Sequence, residues 1–128
     1  ISFGAKLKNC LIAAENLKKK GINITIVDAR FAKPLDENLI FQLATNHEAI
    51  ITIEEGSIGG FSSQVIKFLS DKNLLDKGLK FRSMILPDKF IEHNNPVQMY
   101  KNAGLDSKSI EEKVLNLLNS NIVLQKQK

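Results

Sequence analysis

The spacing of apolar positions changes several times along the chain, and each change marks an element. Leu7, Cys10, Leu11, Ala14 and Leu17 recur at three- and four-residue intervals, which predicts an amphipathic helix. Lys18-Lys19-Lys20-Gly21 ends it: the cations suit a helix C-terminus and Gly21 supplies a left-handed position. Residues 22–27 then alternate with β-branched side chains and predict a strand that stops at Asp28. Pro34 and Asp36 mark the next helix entry, with Asp36 as N-cap and Leu39, Ile40 and Leu43 as the buried stripe. Residues 49–54 are almost continuously apolar, as in a strand covered on both faces. A glycine-rich turn, Gly56-Ser57-Ile58-Gly59-Gly60, leads into a helix facing inward through Phe61, Val65, Phe68 and Leu69. Residues 81–86 predict a strand broken by Pro87, and residues 96–103 a short helix closed by Gly104. Ser107 or Ser109 is expected to cap a last helix with Ile110, Val114, Leu117 and Leu118 on its stripe. Ile1-Ser2-Phe3 reads as the remnant of a first strand.

Strands thus alternate with helices, which predicts an α/β fold. The expected architecture is a three-layer α/β/α sandwich around a small, mostly parallel sheet of about five strands. Residues 1–120 are expected to form one domain, and residues 121–128 a disordered Gln/Lys tail. Starting on a strand remnant without Met, the chain is expected to be cut from a longer polypeptide.

Composition narrows the function classes. The 128 residues, 43% hydrophobic and 25% charged, match an ordinary globular domain with an aliphatic and Phe core. A single cysteine, Cys10, permits no intrachain disulfide, and with only two histidines a structural zinc site is not expected. No apolar run approaches a membrane span, and the first residues lack the layout of a signal peptide. The net charge of +4 comes from lysines at a helix end and in the tail, without the aromatic interleaving of a nucleic-acid surface. Neither nucleic acid nor membrane is an expected partner.

Candidate chemistry is sparse. The glycine loop follows a strand and precedes a helix, where phosphates often bind, but it is neither a dinucleotide fingerprint nor a P-loop. Tight strand-to-helix packing through Gly59, Gly60 and Phe61 is the favoured reading. Glu54 and Glu55 end a strand on opposite faces, so they do not form an acid/base pair; one of them is expected to cap a helix or serve an interface. Asp28, Arg30 and Lys33 follow the preceding strand and are expected to organise their loop by an ion pair, or to meet a neighbouring domain. His47 is expected to be a solvated turn residue. His93, after Asp88 in the loop that follows the last strand, has no nucleophile beside it. Cys10 lies on a helix stripe and is expected to be inert core. No catalytic, cofactor or metal residue is therefore expected in this chain.

Three segments carry a resemblance: Asp28-Ala29-Arg30-Phe31-Ala32-Lys33-Pro34-Leu35-Asp36, Ile53-Glu54-Glu55-Gly56-Ser57-Ile58-Gly59-Gly60-Phe61, and Leu86-Pro87-Asp88-Lys89-Phe90-Ile91-Glu92-His93. They resemble the C-terminal domain of 1-deoxy-D-xylulose-5-phosphate synthase, an enzyme similar to transketolase and to the β subunits of 2-oxoacid dehydrogenases. The third segment, with Gly104-Leu105-Asp106 after it, points to the synthase within that superfamily. Asn94-Asn95 and Ser62-Ser63 depart from its usual pattern. The resemblance implies a parent that condenses pyruvate and glyceraldehyde 3-phosphate with loss of carbon dioxide, for isoprenoid, thiamine and pyridoxal synthesis. It implies thiamine diphosphate and magnesium, held by two upstream domains, and a homodimer in the cytoplasm, or in a plastid if the source is eukaryotic. The domain's own expected role is to support that dimer, with Asp28, Arg30, Glu54, Glu55, Gly59, Gly60, Phe61, Asp88 and His93 as interface or loop candidates. The alternatives are a subunit-docking domain of a 2-oxoacid dehydrogenase β subunit and a free-standing module binding a phosphate ligand at the glycine loop.

Overall fold

A computed structural model describes residues 1–56, 58–87 and 95–126, with side chains through Asn119. Asp88 and His93 lie outside the described residues. The elements follow in the order β1 (Ser2–Phe3), α1 (Leu7–Lys19), β2 (Asp28–Ala29), α2 (Glu37–Asn46), β3 (Ala49–Glu54), α3 (Phe61–Asp71), β4 (Lys80–Met84), α4 (Pro96–Asn102) and α5 (Ser107–Lys126). Among the described residues the sheet has four strands in the order β2-β1-β3-β4, all parallel, against an expectation of about five.

Two apolar clusters cover the two faces of this sheet. On one face Ile40 and Ala44 of α2 and Phe61, Val65, Phe68 and Leu69 of α3 pack around Ile50. On the other, Cys10 and Ala13 of α1 and Ile110 of α5 pack around Ile53 and Met84. The alternation of Ile50 and Ile53 between clusters is the strand period of two, and burial on both faces explains why β3 is apolar throughout. The expected layering is therefore present.

The segment 22–27 departs from expectation. Strand pairing occurs only at Asp28–Ala29, just past the predicted stop. Register is the reason. Ser2 pairs with Asp28, so residues 22–26 lie opposite positions ahead of Ile1 and have no neighbour to pair with.

The helix ends mostly obey local chemistry. Asp36 caps α2 by accepting from the Leu39 N–H at 3.0 Å, as expected, and Gly21 takes φ +78° after α1. The cap of α5 is Asp106, not a serine: its carboxylate accepts from the Ser109 N–H at 2.9 Å. Ser107 already belongs to the helix, so Ser109 falls inside the first turn, where it donates instead of capping. Burial tends to raise the Asp106 pKa, but the hydrogen bonds from Ser109 outweigh it and hold the carboxyl below its usual range. A carboxylate depressed in the folded state contributes stability above its unfolded pKa, and that stability is lost as pH falls through the folded value. Asp106→Ala is accordingly expected to cost about 1 kcal/mol at neutral pH. The deficit should shrink in urea melts as the pH is lowered into the range where this carboxyl protonates; a deficit independent of pH would remove the capping account.

Candidate functional site

Register brings the site together. Phe3 pairs with Ala29 on one side and Glu54 on the other, and the ladders are parallel. The loops 4–6, 30–36 and 55–60 therefore leave the sheet along one edge, where open α/β sheets present their ligand-facing loops.

Glu54 is the centre of that edge and is 2% exposed. Its Oε2 accepts from the Phe61 N–H at 2.8 Å, and its Oε1 from the Ser62 N–H at 3.0 Å and the Ser62 hydroxyl at 2.9 Å. These donors form the N-terminus of α3, whose own N-cap residue, Gly60, has no side chain to cap with. The carboxylate thus sits where a helix would otherwise attract a phosphate, and it satisfies both dipole and N–H groups from within the chain. The glycines make room for it. A Cβ on Gly60 would stand 2.6 Å from Glu54 Oε2, and one on Gly56 would stand 3.0 Å away. Gly59, at φ +97°, turns the chain, and its N–H donates to Ser63 Oγ at 3.1 Å. The loop therefore packs strand against helix, as favoured from sequence, and Glu54 is the carboxylate that caps. Phe61 is buried and its ring stacks on Phe3, centroids 4.9 Å apart.

Glu55 points the other way, as the strand period requires. Its Oε1 lies 3.3 Å from the Nζ of Lys6, a lysine 2% exposed. The same ammonium stands 3.0 Å from the centroid of the Tyr100 ring on α4. A hydrogen bond to Glu55, then burial and the charge of that carboxylate, push the Tyr100 phenol up from its usual range. Lys6 and Tyr100 carried no sequence signal: one follows a two-residue strand and the other lies on a seven-residue helix.

Other candidates fall differently. Asp28, Arg30 and Lys33 are exposed, and among the described residues they make none of the expected ion pairs, since the loop carries its charges outward. Phe31 and Ile58, in loops of this same edge, are 69% and 74% exposed. His47 is not a solvated turn residue. Its Nδ1–H donates to the Leu43 carbonyl at 3.0 Å, which leaves Nε2 to accept from the Thr25 hydroxyl at 2.8 Å, tying α2 to segment 22–27. Cys10 is buried, and desolvation pushes its thiol up from the usual value, away from the reactive thiolate. Among the described residues no group of three or more His, Cys, Asp or Glu could hold a metal ion, and no helix is long and apolar enough to cross a membrane.

A saturated cap at the carboxyl edge of a parallel sheet is a structural signature, and the family comparison places it. Residues 1–110 match the transketolase C-terminal domain family. The chain belongs to that family. Among solved structures it is similar to a chain described as a split gene transketolase, inactive beta4 tetramer, with a TM-score of 0.81 and 28% identity. The match covers 92% of this chain and 38% of that one, so the transketolase C-terminal domain here spans well under half of the neighbour's length.

Proposed function

We propose that this transketolase C-terminal domain is the dimer-supporting part of a thiamine diphosphate-dependent 1-deoxy-D-xylulose-5-phosphate synthase. The observation that carries the reading is the internally satisfied carboxyl edge. Glu54 occupies the α3 N-terminus and Glu55 is paired with Lys6, while Phe31 and Ile58 stand exposed beside them. Such an edge suits docking against protein rather than chemistry on a ligand. Residues 1–120 form the docking unit in this reading, with Asp28, Arg30 and Glu55 on or near the contact surface. The split-gene neighbour, itself a tetramer, supports an assembly of several chains or domains.

Thiamine diphosphate supplies the carbanion chemistry in such a parent, and magnesium anchors its diphosphate. The α3 N-terminus, where the glycine loop could otherwise receive a phosphate, already holds a buried carboxylate, and among the described residues no cluster could hold a metal ion. In this reading the cofactor and metal sites belong to the upstream domains, and the filled α3 N-terminus disfavours a phosphate ligand at the glycine loop.

The test is an assay of the parent polypeptide with pyruvate, glyceraldehyde 3-phosphate, thiamine diphosphate and magnesium. Release of carbon dioxide together with 1-deoxyxylulose 5-phosphate is expected from the parent, and no turnover from the 128-residue chain alone. Turnover by the isolated chain overturns the docking reading, and a different product from the parent overturns the synthase assignment.

A further inference from the structure

Helix α4 is shaped by its own sequence and buries nothing. Asn95 caps it by accepting from the Gln98 N–H at 2.9 Å, Pro96 stands in its first turn, and Gln98 Nε2 donates to Asn102 Oδ1 at 2.8 Å. Yet none of its seven residues is buried, and Val97 is 79% exposed. A helix this short is not stable in water by itself, so contacts must keep it in place. Among the described residues those contacts gather at its C-terminal half. The Leu105 N–H donates to the Tyr100 carbonyl at 2.9 Å, and Leu105, 1% exposed, packs into the cluster around Ile53 and Met84. The other contact is the Tyr100 ring, which lies over the Lys6 ammonium with 3.0 Å to its centroid.

Lys6 depends on that ring in turn. It stands at the start of α1, at the carboxyl edge, and is 2% exposed. Glu55 Oε1 lies 3.3 Å from its Nζ on one side, and Tyr100 covers it on another. An ammonium held away from water is costly, and an aromatic face offsets part of that cost. The ring keeps water off the ammonium, and the ammonium holds α4 down.

We propose that α4 is a strap, anchored at Leu105 and latched by Tyr100 on Lys6, which opens while the sheet stays folded and so uncovers a lysine amine at the carboxyl edge. Local opening is the cheap route. On lifting, α4 takes no buried side chain out of the core, whereas global unfolding exposes both apolar clusters. What opening uncovers is a cation, which water solvates well. The Glu55 side chain is 35% exposed already, so it can stay beside Lys6 when the ring leaves. The closed edge hides its amine; the open edge presents an ammonium and a carboxylate side by side. This strap does not depend on the reaction assigned to the parent.

Two readouts on the full chain test it. The first is amide exchange at rising, sub-denaturing urea. The Met99 and Ala103 N–H groups bond to the Asn95 and Met99 carbonyls within α4, and their exchange should respond little to urea. Exchange of the Ile53 amide, which lies in the ladder, should be slower and rise steeply with urea. The second readout is labelling of Lys6 by an amine-reactive ester, resolved by peptide mass spectrometry, which should follow the α4 amides. Tyr100→Ala should speed both Lys6 labelling and α4 exchange about tenfold or more, with the Ile53 amide still the slower. Tyr100→Phe keeps the ring and should behave like the unaltered chain. Urea dependence of α4 and Lys6 as steep as that of Ile53 overturns the strap, since opening would then be global unfolding. Lys6 labelling unchanged by Tyr100→Ala removes the latch. Equal opening in Tyr100→Phe and Tyr100→Ala overturns it too, because the phenol bond to Glu55 would then hold α4 instead of the ring on the ammonium.

Discussion

Glu54→Ala is expected to destabilise the domain by about 2–4 kcal/mol. The substitution removes a cap and leaves two buried N–H groups, those of Phe61 and Ser62, without an acceptor; a lost cap costs roughly 1 kcal/mol and each buried orphan about 1–3 kcal/mol before relaxation. Gly60→Ala reaches the same interaction from the other side, because its new Cβ meets Oε2 at 2.6 Å and the carboxylate is hemmed in by its three donors. The two changes should be strongly non-additive. Once the carboxylate is gone, a methyl at residue 60 meets little, so the double variant should be scarcely less stable than Glu54→Ala alone. Glu54→Gln should fall between: its one carbonyl oxygen can keep a single backbone donor, and its NH₂ then faces another donor. Urea denaturation of the four proteins measures this cycle, and additive losses would show that Gly60 and Glu54 act separately.

That coupling was half legible in the sequence. The glycine run between a buried strand and an amphipathic helix marked a close approach, and Glu54 at the strand end marked a capping candidate. Which of the two glutamates caps follows from strand parity together with register, and register needs the pairing of Phe3 with Glu54. The helices were legible because apolar positions recur at helical spacing in α1, α3 and α5, although in α1 the buried stripe runs through Cys10, Ala13 and Leu17 and leaves Leu11 exposed. The cap of α5 was expected at Ser107 or Ser109 and lies one or three residues earlier, at Asp106, since Asp and Ser are both good caps and composition does not choose between them. The strand at 22–27 has strand composition but no partner, and composition does not report partners. His47 was read as a turn residue because its two hydrogen bonds join segments that are distant in sequence: Thr25 lies on another element altogether. The ion pair expected around Arg30 rested on charge proximity along the chain, which in an exposed loop does not hold side chains together.

The Lys6–Glu55 pair was invisible for the same reason as His47, and it leads to the second large effect. Glu55→Ala is expected to cost roughly 3 kcal/mol, the low end for breaking a buried ion pair. The reason lies in the asymmetry of the pair. The Lys6 side chain is 3% exposed and Glu55 is 35% exposed, so removing the carboxylate strands a buried ammonium that keeps, among the described residues, the face of Tyr100 beside it. Removing the lysine leaves Glu55 Oε1 buried, but the rest of that side chain stays in reach of water, so Lys6→Met should cost less than Glu55→Ala. A Met stem also keeps most of the packing of the lysine chain against the ring. Combining Lys6→Met with Glu55→Ala should then recover stability relative to Glu55→Ala alone, the opposite of what two lost contacts would give. Chemical denaturation of the three variants at neutral pH reads the order directly. If Lys6→Met proves the more damaging single change, the ammonium is better solvated than its burial shows. The edge would then owe its order to Tyr100 and the α4 contact instead of the ion pair.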